Sequence, residues 1–488
     1  RSRGFFNPAC LCLELEGNHG TACYLNLDCP EGEIYQHWQV ATGLIPVRVD
    51  QAGFGCYQAD SYDQLIDCPI EIGAFSAFTF EVQGNLHQFV LSGMFDANLA
   101  QLKADVQKIC ETQIQFFNGQ TPFSRYVFLL HVSHDAYGGL EHKNSTALLA
   151  SREWLPAKGA KTRSEDYIQL LGLISHEYFH AWNIKTIKPR EFEPYNLKQE
   201  AYTEQLWAFE GITSYYDELF LLRSSLISQA QYLDLLAKNI TRVQRGNGRT
   251  RQSLAQSSFN AWTKFYKQDE NSVNAIVSYY QKGALLALCL DLLISNCTQQ
   301  QKSLDDVMRL AYQTCQECKQ GVLPQQWIQL IPDATGVDVS EFLHEALYGT
   351  DDLPLADLLQ TQGIDYYWLA ASLSTSGSFA RQMPESVAEI DLGLKYKSTP
   401  SGVKVTHVLD NGSAQKAGIS VGDELIAIDG FQIYAFEKQL QRFEAGQTVE
   451  FALFRQGILL TIPVKLELAK ANTCFLCSQN LDQSFWLK

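Results

Sequence analysis

The stretch His176-Glu177-Tyr178-Phe179-His180, at the end of the apolar run Tyr167-Ile168-Gln169-Leu170-Leu171-Gly172-Leu173-Ile174, constrains this chain more than any other. An α-helix turns about 100° per residue, so positions four apart stand nearly above one another and both imidazoles project from one face. Imidazoles so placed can share a divalent metal, and a catalytic zinc takes three protein ligands and leaves a fourth position for water. Glu177, beside the first His, is placed to accept the proton of a water that the metal has made acidic. The bland alternative is an accidental match on an ordinary core helix. A third ligand would separate the two.

Helical spacing predicts a second helix over 199–222, with Tyr202, Leu206, Phe209, Thr213 and Tyr216 along one face. It carries Glu200, Glu204, Glu210, Asp217 and Glu218, and spacing alone does not choose between Glu200 and Glu210 as the ligand. Glu210 stands between Phe209 and Gly211, close to Trp207, a setting that suits a buried ligand as well as a solvated charge. Asp217 lies almost on the same face and is placed to accept the second ring N–H of a ligating His. Downstream, Tyr279 and Tyr280 each offer a hydroxyl that would suit an oxyanion, although either serves equally as packing.

At 488 residues the chain exceeds a single compact core, so two to four domains are expected. A net charge of −16 and the lack of a basic stripe argue against nucleic acid as a partner. No run of about 18 apolar residues offers a membrane span. The opening Arg-Ser-Arg-Gly-Phe-Phe is too short of apolar residues for a secretory signal, and it lacks an initial Met, which leaves open a missing N-terminal portion. Thirteen scattered cysteines suggest reduced thiols and a cytoplasmic location. Cys315-x-x-Cys318 and Cys474-x-x-Cys477 have no adjoining His to complete a structural zinc site.

The expected organisation is multidomain α+β. Residues 1–92 read as a β-sandwich-like domain, in which short apolar stretches are separated by Gly, Asn, Asp and Pro. Residues 93–373 form the mostly helical catalytic domain, with a helix over 98–117 and a buried strand over 126–132. Gly138 and Gly139, ahead of Glu141, read as a tight turn in preference to a close backbone approach to a ligand. Ser164 is a good N-cap for the helix that bears His176. A small, polar linker over 374–386 precedes a β-rich domain over 387–468 and a tail over 469–488.

Several of these stretches converge on one family. His176-Glu177-x-x-His180-Ala181-Trp182-Asn183-Ile184-Lys185, then Trp207-x-x-Glu210-Gly211-x-Thr213-Ser214-Tyr215-Tyr216 and a PDZ-like end, resemble the glycyl aminopeptidases, gluzincin zinc metallopeptidases that carry a PDZ domain. The resemblance implies a thermolysin-like catalytic domain that uses Zn2+ to remove small N-terminal residues, Gly before Ala, from peptides with a free N-terminus. The catalytic part is also similar to the larger aminopeptidases that include leukotriene A4 hydrolase. That similarity implies Glu210 as third ligand with Glu200 as fallback, Glu177 as general base, and Tyr280, before Gln281-Lys282-Gly283, as the oxyanion donor. It also implies that Gly138, Gly139 and Glu141 form the edge that holds the substrate's amine, with His142 where those relatives carry Asn. The gap from His180 to Glu210 is longer than in those relatives and implies an insertion. Leu392-Gly393-Leu394 resembles the carboxylate-binding loop of PDZ domains, which implies a C-terminal peptide as partner. The rival functions are a zinc endopeptidase, for which the same metal triad suffices, and a non-catalytic PDZ interaction protein.

Overall fold

The computed structural model describes residues 3–18, 20–382, 389–481, 484 and 486–487. Residues 383–386 of the expected linker and 387–388 of the expected PDZ start lie outside the described residues. The chain divides into two compact units, one of residues 1–193, 216–227 and 308–322, the other of residues 194–215, 228–307 and 323–488.

The first unit opens with two three-stranded antiparallel sheets, ordered Arg3–Phe6, Ile70–Gly73, Gln39–Thr42 and Cys23–Leu27, Gly55–Ala59, Ile45–Val49. Leu27, Trp38, Phe54, Tyr57 and Ile70 share one core. Strands β1 (Ser76–Val82) and β2 (Asn85–Ser92) do not belong to this domain, contrary to the boundary expected at residue 92. They enter the next sheet. Alternating apolar residues announce a strand without naming its partner, which here is supplied by chain more than thirty residues on.

From β2 the chain crosses over through helix α1 (Leu99–Phe116) to the parallel strand β3 (Arg125–Ser133). Strands β4 (Tyr137–Glu141) and β5 (Ser145–Ser151) complete a five-stranded sheet of order β4-β5-β3-β2-β1, so β4 is an edge. Gly138 and Gly139 therefore lie in an edge strand and not in a tight turn. Helix α1 starts where the Asn98 side chain accepts the Gln101 N–H, and it buries Leu102, Val106, Ile109, Cys110 and Ile114.

Helix α2 (Glu165–Phe179) begins at Ser164, whose side chain accepts the Tyr167 N–H, and Glu165 and Asp166 complement the positive end of its dipole. Its inner face carries Tyr167, Leu170, Leu171, Ile174 and Tyr178, all no more than 1% exposed. Phe179 packs among Phe116, Phe117, Tyr216 and Phe220. Truncating a buried Phe costs about 3–5 kcal/mol, which measures how firmly this end of the helix is held. Gln113 ties α1 to α2 by donating to the carbonyl and hydroxyl of Ser175 at 2.8 and 2.9 Å.

The next long helix is shorter than its sequence pattern suggests. Residues 199–205 are not helical, because the Thr203 hydroxyl accepts the Gln205 N–H at 3.1 Å and starts the helix only after it. A wide π turn over Trp207–Gly211 leads into α3 (Ile212–Arg223), which passes from the second unit into the first between Tyr215 and Tyr216. Glu200 thus lies off the helix and exposed.

In the second unit, α4 (Gln281–Cys297) is a buried helix. A three-stranded sheet joins Asp365–Ala370, Ala471–Cys477 and Ser378–Ala380, with Ala471–Cys477 in the middle. The stretch read as a tail is therefore a central strand, and part of the stretch read as a linker is its parallel neighbour. The terminal small domain places β6 (Leu394–Thr399) at the outside of its sheet, paired with β7 (Gly402–Val408), and carries helix α5 (Phe436–Leu440). Leu394, Val405, Leu425, Phe451 and Leu453 fill its core. The architecture is multidomain α+β: an N-terminal β domain, a largely helical catalytic region and a C-terminal PDZ domain. Among the described residues no helix is long and apolar enough to cross a membrane.

Candidate active site

Helix α2 presents the half-buried His176 in its last turn and the buried His180 at its C-cap. The Nδ1 of His176 donates to Asp217 Oδ2 on α3 at 3.0 Å, and the Nδ1 of His180 donates to the carbonyl of Asn183 at 2.8 Å. A carboxylate and a carbonyl accept, so each ring carries a proton on Nδ1, and in a neutral ring that leaves the lone pair on Nε2. In that tautomer, which the two Nδ1 hydrogen bonds favour, an imidazole can take a metal. Burial lifts the carboxyl of Asp217 above its usual range, against the pull of the His176 ring.

The turn after His180 holds its shape under strain. Ile184, a β-branched residue, has φ +116°, a conformation that costs about 1–3 kcal/mol. Its amide donates to the Ile187 carbonyl at 2.8 Å. Neither Asn183 nor Ile184 was singled out by sequence patterning for this role, although the unusual backbone puts the Asn183 carbonyl against the His180 ring.

Glu177 projects toward the edge strand β4. A Cβ built on Gly139 would collide with the Glu177 carboxylate, so glycine at 139 is what lets the strand pass this acid. Residues alternate along a strand, which puts Glu141 on the same face as Gly139. Within the first unit, Glu141, Glu177 and His180 accordingly offer ligand-capable atoms all within 4.8 Å of one another. Gly138 has φ +154°, a conformation that also favours glycine.

The residue after Glu141 is fastened from outside. Asp67 accepts from His142 Nδ1 at 3.1 Å, from the Lys143 amide at 2.9 Å and from Lys185 Nζ at 2.6 Å. It thereby joins the end of β4 to the turn after His180. Burial alone would raise the carboxyl of Asp67, but Lys185 and His142 outweigh it and bring it down to about 2. A carboxylate depressed in the folded state stabilises above its unfolded value, near 3.9, and that contribution disappears as pH falls through the folded value. Asp67→Asn is expected to lose about 2 kcal/mol at pH 6, with the gap from wild type closing between about pH 4 and 2 in denaturant melts.

In the second unit, Glu210 lies in the π turn and is 9% exposed. A Cβ on the adjoining Gly211 would stand 2.6 Å from the Cα of Gly283, so the turn and α4 touch backbone to backbone. Tyr280 precedes α4 as its N-cap and stacks on Tyr279 at 4.7 Å. Burial first, then the negative charge of Glu210, push the Tyr280 hydroxyl far above its ordinary range, so it remains an O–H donor. Tyr266, which no periodicity connects with Tyr280, brings its own hydroxyl to 3.3 Å from it. The candidate set is thus divided: His176, Glu177, His180, Glu141, Gly138, Gly139 and Asp217 belong to the first unit, and Glu210, Tyr280 and the Leu392-Gly393-Leu394 loop to the second.

The family model for M61 glycyl aminopeptidase matches residues 169–286, that for the peptidase M61 N-terminal domain residues 1–74, and that for a PDZ domain residues 390–466. A crystal structure described as an aminopeptidase N family protein from Idiomarina loihiensis is 40% identical, with a TM-score of 0.95 over 100% of this chain and 83% of that one. The chain belongs to the M61 glycyl aminopeptidase family. An M1 zinc metallopeptidase from Deinococcus radiodurans is 14% identical, with a TM-score of 0.46 over 66% of this chain and 63% of that one. No curated protein sequence matches. The M61 catalytic match spans His176, Glu177, His180, Glu210, Asp217 and Tyr280, whereas Glu141 lies before it. The M61 N-terminal match ends at residue 74, between Ile70–Gly73 and β1, which agrees with the change of sheet there.

Proposed function

We propose that this M61 protein is a zinc aminopeptidase that releases small N-terminal residues, Gly first and then Ala, from peptides. The observation that carries the reading is Glu141 beside Glu177 and His180. An acid so close to the hydrolytic base has a use in an exopeptidase, whose substrate brings an α-ammonium, and none in an endopeptidase, whose substrate brings no charge there. The preference for Gly follows the description of the family.

His176, His180 and Glu210 are the proposed zinc ligands. Two neutral imidazoles and a carboxylate are a donor set suited to zinc, and both rings have their Nδ1 protons engaged elsewhere. Glu210 precedes Asp217 by two helical turns on one continuous helical stretch, and Asp217 holds His176.

A zinc ion held there would supply Lewis acidity toward the attacking water and the scissile carbonyl. Glu177 takes the proton of that water and passes it to the departing amine, as one carboxylate can in successive steps. Tyr280 donates its hydroxyl to the oxyanion of the tetrahedral intermediate. Glu141 holds the α-ammonium and so sets which peptide bond is presented.

Zinc titration of the metal-stripped chain tests the ligand set. One site per chain is expected. Glu210→Gln should weaken it by more than about 100-fold, and Asp217→Ala by about 10–100-fold, the usual effect of removing a residue that orients a ligating His. Glu200→Gln should leave it unchanged. Equal losses at Glu200 and Glu210 would contradict the assignment.

A further inference from the structure

We propose that the peptide groove of the PDZ domain is closed to free C-termini and takes an internal extended segment, added as a strand to the open edge of β6. The groove is a cavity of about 340 Å³ between β6 and α5, with Leu392, Leu394, Tyr396, Phe436 and Leu440 as its apolar lining. Among the described residues strand β6 pairs with β7 on one side only, and its other edge faces the groove, where a strand can be added.

The end that would receive a terminal carboxylate already holds one. The Gly393 amide, in the middle of the Leu392-Gly393-Leu394 loop, donates to the side chain of Asp391 at 2.8 Å. The Leu373 backbone lies near enough to favour the ionised form of that carboxylate. Leu373 and Ser374 themselves line the cavity. Their segment is tied down by Arg245, which donates to the carbonyls of Ser372 and Leu373 at 3.0 and 3.1 Å, and by Glu389, which accepts the Ser372 amide at 2.6 Å.

An incoming carboxylate would therefore meet an occupied amide, a pinned segment and the Asp391 carboxylate, whose charge Arg245 and Lys470 offset only in part. Like charges a few ångströms apart in a partly dry groove repel strongly. Glu437, on the opposite wall, accepts the Tyr396 hydroxyl at 2.8 Å and adds a second acid, against the single cation Lys395 among the described lining residues. The favoured occupant is thus an uncharged or basic internal segment with one apolar side chain for the cavity. This differs from the C-terminal peptide that the loop's resemblance implies, and it does not depend on the zinc site.

The test uses the full chain and decapeptides ending in Leu, Val, Phe or Ala, fluorescently labelled on their N-termini so that hydrolysis cannot consume them. Each is made as the free acid, as the amide, and extended by Gly-Ser-Gly-amide as an internal mimic. Fluorescence anisotropy is expected to show the amide and the extended form binding at least as tightly as the acid. Asp391→Asn should raise the acid-to-amide affinity ratio at least tenfold, with Asp391→Ser as the second variant if Asp391→Asn fails to fold. A wild-type preference of tenfold or more for the free acids would overturn the proposal. So would an unchanged ratio in a folded variant, or no binding of any form to the wild type.

Discussion

Glu177→Gln is expected to lower kcat on a glycyl anilide by about 10³-fold while the chain retains one zinc. General-base catalysis is worth about 10²–10⁴-fold, and Gln keeps the shape of the Glu side chain but cannot accept the proton. The packing argues that the loss will be chemical. Glu177 is 5% exposed, and its carboxylate lies against the backbone of Gly139, so an amide of equal volume fits the same space. Metal analysis beside steady-state kinetics separates the outcomes. A variant that loses zinc in step with activity would make Glu177 a ligand or a structural residue in place of a base.

Glu141→Ala carries the second large effect. A charge-assisted hydrogen bond contributes about 1.5–3 kcal/mol, and in a confined site its loss should lower kcat/KM for free-amine substrates by about 10²-fold. Glu204 is the control. It receives the Tyr348 hydroxyl at 3.2 Å and has no part in the proposed chemistry. Initial rates for the two variants should differ by about the full 10²-fold, and equal losses would remove Glu141 from the role of amine anchor.

Local signals carried much of the fold. Helix α1 was legible because Leu102, Val106, Cys110 and Ile114 recur at helical spacing after Asn98, and α2 because Ser164 and two acids announce its start. The readings that failed depended on partners far along the chain. Ala471–Cys477 looks like a tail until it pairs with Asp365–Ala370, more than a hundred residues upstream. β1 and β2 look like the end of the first domain until β3 claims β2. The helix read from residue 199 shows the opposite failure. Tyr202 and Leu206 fit a helical period, yet a single hydroxyl at Thr203 offers the backbone a competing cap.

The candidate site was legible only in its local spacings. Four-residue spacing brings His176 and His180 to one face, and two helical turns separate Glu210 from Asp217, so a sequence period can point to them. Gly138 and Gly139 suggested a turn because glycine favours turns, but the reason for Gly139 is a tertiary one, the Glu177 carboxylate where its Cβ would be. His142, the departure from the aminopeptidase pattern, finds its partner in Asp67, and no period relates the two. Tyr266 and the strained Ile184 turn belong to the same class of feature, placed by the fold and silent in the sequence.

The most direct measurement is the initial rate on glycyl-p-nitroanilide beside N-acetylglycyl-p-nitroanilide, each with and without a zinc chelator. A zinc aminopeptidase anchored by Glu141 predicts rapid release from the free amine alone, abolished by the chelator and restored by added zinc. Comparable cleavage of the acetylated substrate, or release that survives the chelator, would contradict the account.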